Sequence, residues 1–132
     1  MVTTMEKVTY TATAEQVERM HLAFDEALGQ IQGELGRTYP MIVNGRERKG
    51  ASTFEVRAPA NHDVVVGVFQ KGTRQDVDDA VAAAKAAFPD WSGRPYAERV
   101  AFMRRAAAIV RERKFRLASL LILEAGKNRA EA

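Results

Sequence analysis

The sequence predicts an α+β fold that is mostly helical: an amino-terminal helix, a short β-hairpin with further strands, and then an antiparallel helical stretch. Apolar residues recur at three- and four-residue steps through residues 13–35 and again through residues 73–125. Between these stretches, an Asn-Gly pair and short runs of β-branched residues indicate strands and turns. We divide the chain of 132 residues into an irregular start, residues 1–13, and one unit, residues 14–132.

The first helix is predicted to begin after Thr13. Thr13 and Gln16 have the spacing of a capping box, and Gly36 is expected to close the helix. One face is apolar over its whole length, formed by Val17, Met20, Phe24, Leu28, Ile31 and Leu35. Such a stripe either binds a partner or belongs to a hydrophobic core. We expect it to belong to a core, with the helix lying across a larger body of protein.

The middle of the chain predicts a hairpin followed by two more strands. Asn44 and Gly45 tolerate the positive φ of a two-residue hairpin turn, and the polar return strand suits a sheet edge. A turn is expected at residues 61–63, before a continuously apolar strand that is covered on both faces or packed at an edge. The predicted strands are residues 40–43, 46–49, 53–59 and 64–69.

Residues 73–126 predict three helices in succession. Thr73 and Asp76 form a second capping signal, and Pro89 is expected to stop the helix that follows, leaving a loop at residues 90–94. Pro95 suits the first turn of the next helix, since its missing N–H costs nothing there. A break is expected at Lys114, and Gly126 is a natural left-handed cap for the last helix.

Composition excludes several classes of protein. No stretch of about 18 apolar residues is present, and residues 1–10 lack the apolar region of a secretory signal, so we expect a cytoplasmic protein with no membrane contact. The absence of cysteine excludes disulfides and thiolate metal sites.

The net charge is +3, and basic residues concentrate at residues 46–49 and 94–114. They could meet nucleic acid or an acidic partner, but interrupting glutamates and missing aromatic platforms favour a solvated helix face.

The order of several short motifs resembles the aldehyde dehydrogenase superfamily. The motifs are Asp76-Val77-Asp78 opening an alanine-rich helix, Phe88-x-x-Trp91, Pro95-x-x-Glu98-Arg99, the basic Arg111-Glu112-Arg113-Lys114, and Leu123-Glu124-x-Gly126-Lys127 with Glu131-Ala132. The Gly126-Lys127-Asn128 variant, with Tyr39-Pro40 before the hairpin, is most similar to the 1-pyrroline-5-carboxylate (glutamate semialdehyde) dehydrogenase branch. The resemblance covers residues 14–132 and corresponds to the amino-terminal part of a much longer family chain.

The resemblance implies a chemistry whose reacting residues lie downstream of the matched region. In this superfamily a cysteine thiolate attacks the aldehyde, the adduct gives hydride to NAD, and a glutamate activates the water that releases the acid. An amide side chain and a backbone N–H stabilise the oxyanion. This chain has no cysteine. We therefore assign it no catalytic, cofactor-binding or metal-binding residue, and expect neither turnover nor NAD binding by the chain alone.

Polar residues in the matched motifs are interpreted structurally. Glu124 and Lys127 flank the Gly126 cap, where a lysine offsets the negative end of a helix dipole. Asn128 lies outside the context of the oxyanion residue. Carboxylates crowd the predicted helix start at residues 76–79, where negative charge is favoured; we do not expect a magnesium site there. His21 and His62 are isolated in the sequence, so no metal site is expected.

The sequence alone leaves three interpretations open. The chain is the amino-terminal segment of an NAD-dependent dehydrogenase of proline catabolism, or an independent basic module for nucleic acid or an acidic partner, or a truncated pseudoenzyme-like subunit. In the first, its partner is the remainder of the dehydrogenase polypeptide or a second copy of the chain. That interpretation also predicts exposed apolar surface on three segments, residues 13–35, 64–69 and 115–123.

Overall fold

The computed structural model describes residues 13–132, so the expected irregular start lies outside the described residues except for Thr13. Four helices and five strands follow; the strand Thr38–Tyr39 was not predicted, and the other elements come in the predicted order. The helices are α1 (Ala14–Gln32), α2 (Arg74–Gly93), α3 (Tyr96–Glu112) and α4 (Lys114–Ala125), and the strands are β1 (Thr38–Tyr39), β2 (Met41–Val43), β3 (Arg46–Arg48), β4 (Thr53–Ala58) and β5 (Asn61–Gln70).

Both predicted capping boxes form. At α1 the Thr13 side chain accepts from the backbone N–H of Gln16, and the Gln16 side chain accepts from the backbone N–H of Thr13. Thr73 and Asp76 repeat the pattern at α2. The prediction that Gly36 closes α1 was wrong, because the helix ends at Gln32. Gly36 instead supplies a left-handed residue, φ 72°, in the turn that leads to β1.

The strands form two separate sheets. Strands β2 and β3 make the predicted hairpin, whose turn residues Asn44 and Gly45 have φ values of 52° and 70°. The other sheet has the order β1-β5-β4, with β1 parallel and β4 antiparallel to β5. Strand β5 begins at Asn61, so the turn expected at residues 61–63 was placed too late. The polar start of β5 is exposed at the sheet end, which explains why its sequence resembles a turn.

The three later helices correct two predictions and confirm two. Pro89 does not stop α2, which continues to Gly93 and absorbs most of the predicted loop. Pro89 lies one turn before the end of α2, where it removes one helical hydrogen bond, and Trp91 beyond it packs on Phe102 of α3 at 5.6 Å between ring centroids. Pro95 is the residue before α3 rather than in its first turn. The break before Lys114 and the left-handed cap at Gly126, φ 66°, are confirmed.

The core lies where α4 packs against α1 on one side and against β4 of the β1-β5-β4 sheet on the other. Phe24 of α1 meets Phe115 of α4 edge to face, with ring centroids 5.1 Å apart. The buried apolar residues are Phe24, Ala27, Ile31, Ala58, Val66 and Ala118. None of these lies in α2 or α3, which have no buried residue. The described part of the chain therefore has a small closed core at one end and two open helices at the other.

This arrangement corrects the prediction of where apolar surface is exposed. Phe24, Ile31 and Val66 belong to the segments expected to be open, yet each is buried within the chain itself. Some side chains of those segments do remain exposed, namely Leu22, Leu117 and Leu121. The large exposed apolar surface lies on α2 and α3 instead, because α1 and α4 cover each other and leave nothing to cover those two helices.

Candidate functional site

The most unusual surface in the described structure is the apolar stripe along α2. Val77, Val81 and Phe88 recur at helical spacing, and Phe88 is 64% exposed. Alanines between them give the helix a smooth surface that permits close packing. Globular proteins seldom leave large apolar side chains open in a row, and such rows mark places where another surface binds. We call these three residues the α2 stripe.

A groove on α3 continues this apolar surface past the end of α2. It has a volume of about 540 Å³, and Tyr96 and Met103 on its walls are 75% and 65% exposed. The last turn of α2 contributes Trp91, which is held by its contact with Phe102. We call this surface the α3 groove; it is lined by Trp91, Tyr96, Arg99, Val100, Met103, Arg104 and Ala107.

Positive charge surrounds the α3 groove. Arg99 lies on its wall, and the Nε of Arg99 is buried yet has no hydrogen-bond partner among the described residues. Arg104 lines the groove as well, and no ion pair reaches Arg99 or Arg104 from any described carboxylate. Arg105 lies 4.5 Å from the ring centroid of Phe102, a cation–π contact. The groove thus combines an apolar wall with unneutralised guanidinium groups.

The carboxylates at the start of α2 are used to hold the hairpin. Nη1 of Arg48 donates to Asp76 at 2.9 Å and to Asp79 at 2.7 Å. Asp76 also accepts from the N–H and the hydroxyl of Thr73, at 2.8 and 2.7 Å. The N–H of Thr73, followed by Arg48, lowers the pKa of Asp76 to about 2. A structural role therefore accounts for these carboxylates, and sequence spacing did not signal their partner on β3.

The second polar cluster ties the end of the chain to α1. Arg129 donates to Nδ1 of His21 at 3.1 Å, pairs with Asp25, and lies over the ring of Phe24. His21 is therefore in contact with a cation rather than with other metal-binding groups. In the described residues, no three His, Asp or Glu side chains lie close enough to hold a metal ion. This contact joins residues more than a hundred positions apart, so no local pattern could predict it.

Glu124, Lys127 and Asn128 surround the end of α4 and do not form a reactive set. No ion pair joins Glu124 to Lys127 in the described structure. The Asn128 side chain accepts from the N–H groups of Ala130 and Glu131, both at 3.0 Å, and so forms a turn. With no cysteine in the sequence, the arrangement offers no thiolate nucleophile.

The basic segments are partly neutralised within the chain. Arg48 pairs with two carboxylates, and Arg94 pairs with Asp90 at 2.9 Å. Arg116 pairs with Glu34 through two hydrogen bonds, at 2.7 and 2.6 Å. None of the described helices is long and apolar enough to cross a lipid bilayer. Four arginines without an ion pair among the described residues lie on α3, namely Arg99, Arg104, Arg105 and Arg111.

Comparison with known proteins gives this chain a family. The sequence profile of the Aldehyde dehydrogenase family matches residues 46–132. The chain is 38% identical over 110 residues to the 1-pyrroline-5-carboxylate dehydrogenase of Staphylococcus saprophyticus, and 40% identical over 116 residues to 1-pyrroline-5-carboxylate dehydrogenase 2 of Halalkalibacterium halodurans. These matches cover 83% and 88% of this chain but 21% and 22% of the two relatives, so the chain spans about a fifth of their length.

Solved structures point to the same family as the sequence relatives. The crystal structure of 1-pyrroline-5-carboxylate dehydrogenase from Thermus with bound NAD superposes with a TM-score of 0.84 at 31% identity. The superposition covers 96% of this chain and 24% of the Thermus chain, so nearly all of the fold described above recurs within a larger enzyme. The matches lie in the amino-terminal segment of these proteins. On this sequence and structural similarity, the chain belongs to the aldehyde dehydrogenase family.

Proposed function

We propose that this chain is the amino-terminal part of an NAD-dependent 1-pyrroline-5-carboxylate dehydrogenase and supplies scaffold rather than reacting groups. The observation that carries the proposal is the superposition of 96% of the chain on the NAD-bound Thermus enzyme. The branch-specific resemblance at Gly126-Lys127-Asn128 points the same way. The reaction would oxidise glutamate semialdehyde to glutamate during proline catabolism, with NAD as hydride acceptor.

The chemistry of aldehyde oxidation supports a scaffold role. The reaction needs a thiolate nucleophile, and this chain contains no cysteine. The polar clusters of the described structure are occupied by internal contacts. Arg48 binds the carboxylates at the start of α2, and Arg129 binds His21 and Asp25 in the middle of α1. The nucleophile, the water-activating base and the NAD site would therefore come from the remainder of the dehydrogenase polypeptide. We also propose a cytoplasmic location, with which a cysteine-free composition is compatible.

The remainder of the dehydrogenase polypeptide is also the partner we propose for α2 and α3. Val77, Phe88 and Met103 are each more than half exposed, although they have the spacing of core-facing residues. Burial of a side chain of this size contributes roughly 1.5–3 kcal/mol relative to leaving it in water. Relatives that are about four times as long contain the additional polypeptide that could cover these helices.

A graft into the Thermus enzyme tests the proposal. The whole chain would replace the matching quarter of the Thermus dehydrogenase, and NAD reduction would be followed with glutamate semialdehyde as substrate. We expect a folded graft that reduces NAD, whereas the isolated chain neither reduces NAD nor binds it at millimolar concentration. Saturable NAD binding by the isolated chain, or a graft that folds but never reduces NAD, would contradict the assignment.

A further inference from the structure

The turn of the β2-β3 hairpin contains the one Asn-Gly pair of the sequence. Asn44 and Gly45 are both exposed, and glycine has no side chain to shield its backbone nitrogen. The other two asparagines, Asn61 and Asn128, each precede a residue with a large side chain. An unshielded backbone nitrogen can attack the amide carbon of the asparagine side chain that precedes it. Asn44 is therefore the asparagine of this chain that is most open to spontaneous deamidation.

Deamidation at this pair needs no reagent except water. The Gly45 nitrogen forms a bond to Cγ of Asn44, the bond from Cγ to Nδ2 breaks, and ammonia leaves with the proton that the Gly45 nitrogen gives up. The product is a cyclic succinimide, which water opens at either of its carbonyl carbons. One opening gives aspartate, and the other gives isoaspartate, in which the backbone runs through the side chain. No atom is oxidised or reduced.

The folded turn holds the two reacting atoms apart. Asn44 and Gly45 have φ values of 52° and 70°, the combination found in a type I′ turn. In such a turn ψ of the first central residue is about 30°, which places the Gly45 nitrogen on the opposite side of the Cα–C bond from Cβ of Asn44. Attack on Cγ therefore requires a large rotation about that bond. Because the rotation breaks the two-residue connection, only an opened hairpin can react.

The hairpin depends on α2 to remain closed. Strands β2 and β3 pair only with each other among the described strands, and a lone two-stranded hairpin is marginally stable. Nη1 of Arg48, at the base of the hairpin, donates to Asp76 at 2.9 Å and to Asp79 at 2.7 Å. The tip also lies beside α2, since Asn44 lines one groove together with three alanines of that helix. Arg48 thus fastens the hairpin along α2.

We propose that Asn44 is a site of spontaneous deamidation and that the contact of Arg48 with α2 restrains the reaction by keeping the hairpin closed. Isoaspartate adds one carbon atom to the backbone of the turn, so Val43 and Arg46 can no longer pair in their present register. The modified hairpin cannot close as before, and the alanines of α2 beside its tip lose their cover. The change accumulates with time and is independent of catalysis by the parent enzyme.

The experiment follows each asparagine of the full chain by peptide mapping and mass spectrometry, in mildly alkaline buffer and in urea. The ratio of the urea rate to the buffer rate measures the protection of a site. We expect Asn44 to react fastest in urea and to be protected in buffer. R48L should lower that protection about fivefold, the effect of losing a partly exposed ion-pair contact. R46L is the matched control, since Arg46 lies in the same strand and no described ion pair involves it.

A second site shows whether a variant has unfolded as a whole. Asn61 begins β5 in the other sheet, so its protection should be the same in R48L and in the unmodified chain. If R48L reduces the protection of Asn61 as well, the milder D79A variant, which leaves Asp76 as a partner for Arg48, replaces it. Reduced protection of Asn44 in D79A supports the proposal, and unchanged protection overturns the role of Arg48.

Three results would overturn parts of the proposal. A urea rate at Asn44 no higher than that at Asn61 would mean that Asn44 is not the reactive site. Equal rates at Asn44 in buffer and in urea would mean that closure of the hairpin does not restrain the reaction. Equal protection of Asn44 in R48L and R46L, with Asn61 unaffected, would remove Arg48 as the restraint.

Discussion

Two buried polar atoms lack hydrogen-bond partners among the described residues, and they differ in their surroundings. The Nε of Arg99 is itself buried, although Arg99 is among the residues that line an open groove. The hydroxyl of Ser119 is in α4, within the closed core between α1 and the sheet, and Ser119 is fully buried. No incoming surface can reach that hydroxyl without opening the core. The cost of leaving it unpaired therefore persists in any assembly of the chain.

Replacing Ser119 with alanine should stabilise the chain. Ser119→Ala removes a buried, unpaired hydroxyl and adds helix propensity, so we expect a gain of about 1 kcal/mol in the free energy of unfolding. Urea denaturation measures it. Ser92→Ala is the control, since the Ser92 hydroxyl is exposed and donates to the carbonyl of Pro89 at 3.2 Å. A loss of stability in Ser119→Ala would mean that the hydroxyl has a partner.

Glu34 makes the longest-range bidentate ion pair of the described structure. It accepts two hydrogen bonds from Arg116, 82 residues away, and thereby joins the turn after α1 to α4. Hydrogen bonding from Arg116 lowers the pKa of Glu34 from its ordinary value of 4.5. Because the folded-state pKa is the lower one, the pair contributes fully above about pH 4.5, and its contribution is lost as pH falls through the folded value.

The Glu34→Gln variant should therefore lose its disadvantage in acid. At about pH 7 we expect its urea midpoint to lie below that of the unmodified chain, and the two midpoints should converge as the pH falls below about 4.5. Glu18→Gln controls for the loss of one carboxylate, since no described ion pair involves Glu18. A difference between Glu34→Gln and the unmodified chain that stays constant with pH would exclude the charged pair as its cause.

The end of α4, beside the sheet, depends on the backbone conformation of a single residue, Gly126. Gly126 caps α4 at φ 66°, and a Cβ added there would lie 3.0 Å from Cγ of Pro59, next to β4. Gly126→Ala should cost about 1–2 kcal/mol for the left-handed conformation alone. Gly29→Ala is the matched control: Gly29 lies inside α1 with open space around it, so alanine should stabilise by roughly 0.5–1 kcal/mol. Thermal unfolding of both variants checks the pair, and shifts of the same sign would contradict it.

The elements predicted well from the sequence are those determined by neighbouring residues. The two capping boxes, the hairpin turn at Asn44 and Gly45, and the cap at Gly126 each depend on residues a few positions apart. Pro89 is an exception. Its local preference is to end α2, but the contact of Trp91 with Phe102 on the next helix holds one further turn. A tertiary contact thus outweighed the local signal.

In the molecule as a whole, the sequence correctly predicted that large apolar side chains are exposed, but it assigned them to the wrong segments. All the apolar stripes have similar spacing, so periodicity cannot tell which of them will be paired. The pairing of α1 with α4 brings together Phe24 and Phe115, which are far apart in sequence. The candidate site could not be predicted for the same reason. The arginine, methionine and valine side chains of α3 line a groove only together with Trp91, and their sequence pattern does not reveal that Trp91 lies beside them.

The exposed helices give the isolated chain a testable solution behaviour. A stable domain has a net free energy of unfolding of only about 5–15 kcal/mol, and the core here is small. We expect the isolated chain to bind a hydrophobic dye and to self-associate through α2 and α3. Replacing Phe88 and Met103 together with glutamine should reduce dye fluorescence and light scattering without lowering the urea midpoint, because both side chains are mostly exposed.

The matched control for that double variant lies in the closed core. Phe24→Ala removes a ring that is 3% exposed and packs against Phe115, so it should cost about 3–5 kcal/mol and increase dye binding. If the double variant binds as much dye as the unmodified chain, the dye enters a loosened core rather than the open helices. If the unmodified chain is instead a monomer that unfolds in one sharp transition without binding dye, then α2 and α3 need no cover. That result would favour an independent binding module over a dehydrogenase segment.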